Sequence, residues 1–220
     1  MNIDFSGTQI SLQPTKIVCT CRNYMEHARE MNEPKPDEPI FFIKPPTTIV
    51  PDGSVIELPS FSNRVEHEIE LAVVMKDKCK NISAEDAIQH VLGFTILLDM
   101  TARDMQNEAK KRGLPWTKAK CFDNSAPLGP KIVPPDKIKW NDLEIRLSVN
   151  GKVKQHGRTA DMIFSVEELI SSASKLFTLY PMDVIATGTP SGVGPVFPGD
   201  VIEGYIEGIG ALTVKCGKSP

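Results

Sequence analysis

Eighteen prolines and fifteen glycines cut this 220-residue chain into short pieces. Between them lie apolar runs, most of them four to eight residues long and rich in Val and Ile. They are KIVCTC at 16–21, IFFI at 40–43, TTIV at 47–50, IELAVVM at 69–75, EIRLSVNG at 144–151, DVIATG at 183–188 and DVIEGYIEGIGALTVKCG at 200–217. Runs of that length bounded by turn residues predict strands. Helical periodicity is scarcer. SAEDAIQHVLGF at 83–94 has a Ser cap with acids behind it and predicts a helix. MTARDMQNEAKKRG at 100–113 predicts another, stopped by Gly113. SVEELISSASKLFTL at 165–179 opens on Ser165 and Glu168, the spacing of a capping box. A short helix is expected at NYMEHAREM, 23–31. Many short strands with few helices imply a β-rich α+β domain of sandwich or barrel type.

Composition excludes several classes of function. A net charge of -3 with no basic stripe argues against nucleic-acid binding. No apolar run approaches the ~18 residues of a membrane span. The N-terminal stretch lacks the apolar core of a signal peptide. Five cysteines, none in a C-x-x-C pair, read as reduced thiols rather than zinc ligands or disulfides. The cytoplasm is the expected compartment.

Chemistry is concentrated in four places. In RVEHEIELAVVM, Glu66, Glu68 and Glu70 alternate at the mouth of an apolar strand, and side chains two apart share a strand face. A charged strand edge would explain them. However, Asp99 ends a second apolar run, GFTILLD, and carboxylates gathered at the ends of buried strands repel unless a cation offsets them. Hard oxygen ligands suit Mg²⁺, Mn²⁺ or Ca²⁺. In NYMEHARE, His27 and Glu30 stand at i and i+3, where a carboxylate can orient an imidazole as a general base; a solvated helix face is the plainer explanation. Asp99, Arg103 and Gln106, at i, i+4 and i+7, would put an acid, a guanidinium and an amide on one helix face, suited to carboxylate recognition. Lys118 and Lys120 follow in a segment without helical periodicity, where either could be a surface lysine or an oxyanion donor. Finally, IATGTPSGVGP runs from a strand into a Gly- and Thr-rich loop able to hold an anion, but it matches neither the P-loop nor G-x-G-x-x-G.

In this order, RNYMEHAREM, PIFFIKPPTTIV, VEHEIELAVVM, LDMTARDMQ, GLPWTKAKCFDNSAPLGP, NGKVKQHGRTADMIFSVEELI and TGTPSGVGP resemble the fumarylacetoacetate hydrolase family, from residue 17 to about 195. The likeness is to its small single-domain members, among them acylpyruvate hydrolases and oxaloacetate decarboxylases. The resemblance implies a mixed, rolled β-sandwich or barrel spanning 1–220 as one catalytic domain, with a few peripheral helices and a short helical lid near 24–38. It implies Glu68, Glu70 and Asp99 as ligands of Mg²⁺ or Mn²⁺, with Glu66 outside the set. It further implies His27 and Glu30 as a water-activating dyad and Lys120 as the oxyanion or proton-handling lysine. Arg103, Gln106 and Thr189 become contacts to substrate oxygens. Family members usually form homodimers. The expected substrate is a small 2-oxo acid, with no nucleic acid or membrane as partner. Metal-dependent cleavage of acylpyruvates is the first expectation, followed by oxaloacetate decarboxylation, then isomerisation or tautomerisation of a 2-oxo diacid. A non-enzymatic 2-oxo-acid-binding protein is the rival of another class. Cys21 departs from the pattern, since relatives usually carry Gly there; it could alter lid packing or add a reactive thiol.

Overall fold

The computed structural model describes residues 1–218. Two five-stranded mixed sheets face each other. The first runs, edge to edge, Ile40–Lys44, Ile17–Cys21, Val184–Ala186, Ile69–Met75 and Val91–Leu98. Its neighbours are antiparallel except Val184–Ala186 with Ile17–Cys21. The second runs Lys152–Arg158, Glu144–Val149, Val201–Ile206, Gly210–Lys218 and Val55–Leu58, with only the last pair parallel. Both sheets keep two edges, so among the described residues the fold is a sandwich and no barrel closes.

The strand patterns explain this layering. Every residue of Ile69–Met75 is buried. Leu71, Val73 and Met75 pack with Ile145, Leu147, Ile202 and Val214 of the opposite sheet. Ala72 and Val74 face the other way, onto Ile3, Leu12, Ala126 and Leu128. A sheet covered on both faces needs continuous apolar runs. The second sheet alternates instead, as in Glu144–Val149, because one of its faces meets water.

Three helices match their sequence signals, the shortest being Met25–Glu30. Val166–Leu176 is capped reciprocally: Glu168 N donates to Ser165 Oγ at 3.2 Å and Ser165 N to Glu168 Oε2 at 2.7 Å. Arg103–Arg112 stops at Gly113, which takes the left-handed φ of 64°. The helix expected over 83–94 does not form. A single 3-10 turn, Ala87–His90, leads directly into the strand Val91–Leu98, which pairs along the length of Ile69–Met75. The Ser83 cap does exist, accepting from Asp86 N at 3.2 Å, but the apolar VLGFTILL run is drawn into the buried sheet, overriding local propensity. The N-terminal hairpin, Asn2–Phe5 with Thr8–Ser11, was not foreseen either.

Candidate active site

The acids are brought together by pairing between strands. Glu68 sits at the break between Val65–His67 and Ile69–Met75; Glu70 lies in the latter; Asp99 follows Val91–Leu98. The antiparallel register sets Ile69 opposite Leu98 and Glu70 opposite Leu97. Asp99 N donates to Glu68 O at 2.8 Å. One ligand atom from each of Glu68, Glu70 and Asp99 therefore falls within 4.8 Å of the others, and all three residues are buried. The expectation that Asp99 shares a helix face with Arg103 and Gln106 is corrected: the helix begins at Arg103, and Asp99 ends a strand. Arg103 and Gln106 do share a face, with Arg103 Nη1 donating to Gln106 Oε1 at 2.5 Å. Lys120, expected in a segment without periodicity, closes a short helix, Thr117–Lys120, that turns it inward.

Three cations offset the acids. Lys120 Nζ donates to Glu68 Oε2 at 2.8 Å, Asp99 Oδ2 at 2.6 Å and Thr101 Oγ1 at 2.6 Å. Arg103 donates to Glu68 through Nη2 and to Glu66 Oε2 through Nε at 2.6 Å. Glu66 is thus committed to Arg103 and, at 2.7 Å, to Arg64. Lys44 is fully buried, its Nζ 2.9 Å from Asp99 Oδ1. Burial opposes ionisation of Glu68, but Lys120 and Arg103 outweigh it and hold its carboxyl well below the usual range. Glu70 has no such partner. Burial, then Asp99 and Glu68, push it well above the usual range, against a single hydrogen bond from Gly188 N to Oε2 at 2.7 Å. Lys120 is held protonated, since Asp99 and Glu68 overcome its desolvation.

The donor set fits a hard divalent cation. All three candidate ligands are carboxylates. Asp99 Oδ1 is buried with no hydrogen-bond partner, because Lys44 lies beside it but out of line. A buried orphan acceptor in an acidic cluster is where a cation fits.

Across the cavity, the helix Met25–Glu30 carries His27, whose Nδ1 lies 3.1 Å from Glu30 Oε2. Burial works against the Glu30 carboxylate, but the bonds from His27 and from Gly192 N–H lower it below 4.5. An ionised Glu30 accepts from Nδ1–H, the arrangement that, in a neutral imidazole, leaves Nε2 as the acceptor. The helix start is fixed by Asn23. Its Nδ2 donates to Thr187 O at 2.8 Å and Phe164 O at 3.0 Å, and its Oδ1 accepts from Phe164 N at 2.8 Å. Two glycines make the approach possible. A Cβ on Gly188 would lie 2.8 Å from Asn23 Cβ, and one on Gly192 2.1 Å from Lys154 O; both have positive φ.

His27, Glu68, Glu70, Asp99, Arg103, Gln106, Lys120 and Thr189 all line one cavity of about 230 Å³, and Glu30 stands behind His27. A cavity smaller than the ~300–1,000 Å³ of drug-sized sites suits a short substrate. Cys21 also lines it, but burial pushes its thiol up to about 12, so it is not a ready nucleophile. Lys118 is exposed and points away, over Phe61.

Three residues escaped the sequence reading. Lys44 ends the Ile40–Lys44 strand, and its only local signal is a lysine closing an apolar run before Pro-Pro. Gln155 Nε2 donates to Thr189 Oγ1 at 2.7 Å, while its Oε1 sits 2.9 Å from His67 Nδ1. Gln155 and His67 are 88 positions apart, and nothing local announces their meeting.

Comparison with known proteins identifies the family and the fold. Residues 16–216 match the family model described as fumarylacetoacetate hydrolase, C-terminal. An uncharacterised protein of Pyrococcus abyssi is 52% identical over 212 residues, covering 96% of this chain and 94% of the relative. A mitochondrial oxaloacetate tautomerase of Bos taurus is 46% identical over 200 residues, 90% of each chain. Among solved structures, a fumarylpyruvate hydrolase from Pseudomonas aeruginosa in complex with Mn²⁺ and pyruvate superposes with a TM-score of 0.93. It is 36% identical, with 100% of this chain and 96% of that one covered. Among the described residues, no helix is long and apolar enough to cross a membrane.

Proposed function

The chain belongs to the fumarylacetoacetate hydrolase family, and we propose that it is a divalent-metal-dependent hydrolase that cleaves short acylpyruvates (2,4-dioxo acids) to pyruvate and a carboxylic acid. The observation that carries this reading is the placement of the His27–Glu30 pair and the Glu68–Glu70–Asp99 cluster on one small cavity. A pure binder of 2-oxo acids would have no use for an oriented base. Residues 1–220 are read as one catalytic domain, with 24–38 as its lid.

Glu68, Glu70 and Asp99 would hold Mg²⁺ or Mn²⁺, with Ca²⁺ as a substitute. When bound, the cation supplies Lewis-acid stabilisation of the charge that develops on the 2-oxo group. The chain's own side chains do the rest. Arg103, Gln106 and Thr189 orient the substrate's carboxylate end. Thr189 Oγ1 accepts from Gln155, which leaves its hydroxyl proton free to donate to the substrate. His27 Nε2 takes a proton from water as its oxygen bonds to C4 of the substrate. The Lys120 ammonium, whose three N–H groups are held by Glu68, Asp99 and Thr101, donates to the oxyanion formed there by exchanging its bond to the neutral Thr101 hydroxyl. The C3–C4 bond then breaks, its electron pair passes to the pyruvate enol fragment, and the proton from His27 returns to C3. Glu30 keeps the imidazole in the required tautomer throughout.

A second reading, decarboxylation or tautomerisation of oxaloacetate at the same site, is supported by the bovine relative. Neither reaction needs an attacking water. The test is pyruvate release from acetylpyruvate and from oxaloacetate, with keto–enol exchange of oxaloacetate followed by absorbance, each with Mg²⁺ or Mn²⁺ and with EDTA. EDTA-sensitive turnover of acetylpyruvate, cut about 10²–10⁴-fold by His27→Ala, supports the hydrolase. Oxaloacetate turnover alone makes the second reading correct, with decarboxylation little changed by His27→Ala and tautomerisation, which moves a proton at C3, reduced by it. Glu68→Ala should abolish metal-dependent turnover in either case. The homodimer expected from the resemblance is tested on the same preparation by sedimentation.

A further inference from the structure

Of the seven residues in the edge strand Lys152–Arg158, only Gln155 is buried, and it is fully so. A bulge explains how a side chain of this strand comes to point inward. Leu147 pairs with Gln155 and Ser148 with Val153, which leaves Lys154 unpaired and re-aims the residue after it. A Cβ on Gly192 would lie 2.1 Å from Lys154 O, so the bulge packs directly against the loop that carries Thr189. Gln155 reaches across to Thr189, which lines the cavity.

Every hydrogen-bonding position of the Gln155 amide is taken, and two of its partners are backbone groups with only one possible role. Gln155 Nε2 donates to Pro190 O at 2.8 Å, and Ile69 N donates to Gln155 Oε1 at 3.2 Å. A carbonyl only accepts and a backbone N–H only donates, so the amide cannot be turned over. A flipped amide would set oxygen against oxygen at Pro190 and N–H against N–H at Ile69. The two remaining bonds are thereby fixed in direction. The second Nε2 proton goes to Thr189 Oγ1 at 2.7 Å, and the second Oε1 lone pair takes the Nδ1 proton of His67 at 2.9 Å. Thr189 therefore accepts within the protein, and among the described residues no acceptor takes its proton. A threonine hydroxyl is otherwise free to rotate to suit its neighbours.

We propose that Gln155 is a positioning residue that makes Thr189 an obligate donor towards the cavity, and so sets the site for a ligand oxygen with lone pairs to offer. An ionised carboxylate or a carbonyl meets that demand; an ammonium or an amide N–H presented at the same place does not. The direction is set before the ligand arrives, so binding loses nothing to reorientation of the hydroxyl. Gln155 touches no substrate and acts only through Thr189. The proposal rests on the reading above in which Thr189 contacts the 2-oxo acid.

The test is a double-variant cycle read by calorimetric binding of pyruvate to the Mg²⁺-loaded full-length protein. Thr189→Val keeps the shape and removes the hydroxyl, and should weaken pyruvate about tenfold in the wild-type background. Gln155→Glu keeps an acceptor for Ile69 N and His67 but replaces the donor with a second acceptor, so the Thr189 proton turns inward. In that background Thr189→Val should weaken pyruvate by less than about twofold. Gln155→Met offers Thr189 neither donor nor acceptor and keeps the test open if a buried carboxylate unfolds the first variant. It should weaken pyruvate about 2–10-fold alone, and by less than about twofold when Thr189→Val is already present. In turnover of acetylpyruvate or oxaloacetate, Gln155→Met should raise KM while kcat stays within about threefold, because the Thr189 contact is made equally in ground and transition states. Additive losses in the cycle overturn the proposal, as does a fall in kcat as large as the rise in KM, the mark of a distorted site. If Thr189→Val leaves pyruvate binding unchanged, the substrate contact of Thr189 is refuted, and the role of Gln155 with it. If wild type binds no pyruvate, the 2-oxo-acid reading itself fails and the proposal falls with it.

Discussion

Lys44→Met offers a direct measure of how the acidic cluster is held. Methionine matches the aliphatic stem in length, so the change removes the ammonium with little loss of packing. In the native protein Lys44 Nζ lies 2.9 Å from Asp99 Oδ1. It donates to Ser125 O and Oγ at 3.0 Å each, to Met100 O at 3.3 Å, and to the Lys120 carbonyl. Its side chain is inaccessible to water, so none of these acceptors gains a solvent partner when it goes. Removing one member of a buried pair costs roughly 3–5 kcal/mol, because the remaining charge stays buried. For a chain of this size each kcal/mol lowers Tm by about 2–4 °C, so the expected drop is roughly 6–20 °C. The assay is thermal unfolding by circular dichroism in EDTA. Lys80→Met serves as control: Lys80 is exposed with one bond, to Lys175 O at 3.0 Å, and should shift stability by no more than about 0.5 kcal/mol. Added Mn²⁺ should raise the Tm of Lys44→Met more than that of wild type, since a cation has been removed from beside Asp99. A Lys44→Met protein that melts within about 3 °C of wild type would refute the view that Lys44 neutralises the cluster.

Other tests address the base and the loop that supports it. The Glu30 carboxyl is held below 4.5, so the stability it lends its surroundings is present above that value and lost only as pH falls through the lower, folded value. The Gly192 amide, which donates to Glu30, should therefore stay protected from hydrogen exchange through pH 4.5; protection lost at pH 5 would contradict this. Gly192→Ala forces a Cβ against Lys154 O at a φ of 94° and should cost at least about 2 kcal/mol. It should also depress acetylpyruvate cleavage more than oxaloacetate turnover, and an equal fall in both would uncouple Gly192 from the base. Cys21, with its thiol pushed up to about 12, should resist iodoacetamide at pH 8 in the folded protein; rapid labelling, read by mass spectrometry, would show that burial is not protecting it.

Local signals in the sequence carried much of this fold and its limits are equally local. The strands around Ile145 and Val214 were legible because their Val- and Ile-rich runs are punctuated by Gly, and the one around Val73 because its apolar run stops at the polar Lys76-Asp77-Lys78. The helix after Ser165 was legible because its cap is written within four residues. Residues 83–94 misled because a genuine Ser83 cap is followed by an apolar run that a buried sheet claims, and that outcome depends on a partner strand, Ile69–Met75, not on the segment itself. Glu68, Glu70 and Asp99 were legible because acids at the ends of apolar strands are out of place. The same reasoning did not extend to Lys44, although a lysine ending IFFI is equally out of place. Arg103 and Gln106 were rightly put on one face, but Asp99 was carried with them by counting a helix three residues too early. His67 and Gln155 have no local signature, since their bond exists only once the Lys152–Arg158 strand passes the end of Val65–His67.

The internal partnering of the acids has a consequence for how such a protein lives in a cell. Where carboxylates or thiolates are left bare, a metal is what lets the chain fold, and starvation for that metal destroys the protein. Here lysine and arginine side chains already shoulder most of the repulsion at Glu68 and Asp99. On the metal-dependent reading proposed above, abundance and activity would thereby be decoupled: a chain made during metal scarcity would survive proteolytic surveillance as a finished but silent molecule, then switch on within the time of ion exchange, without new synthesis.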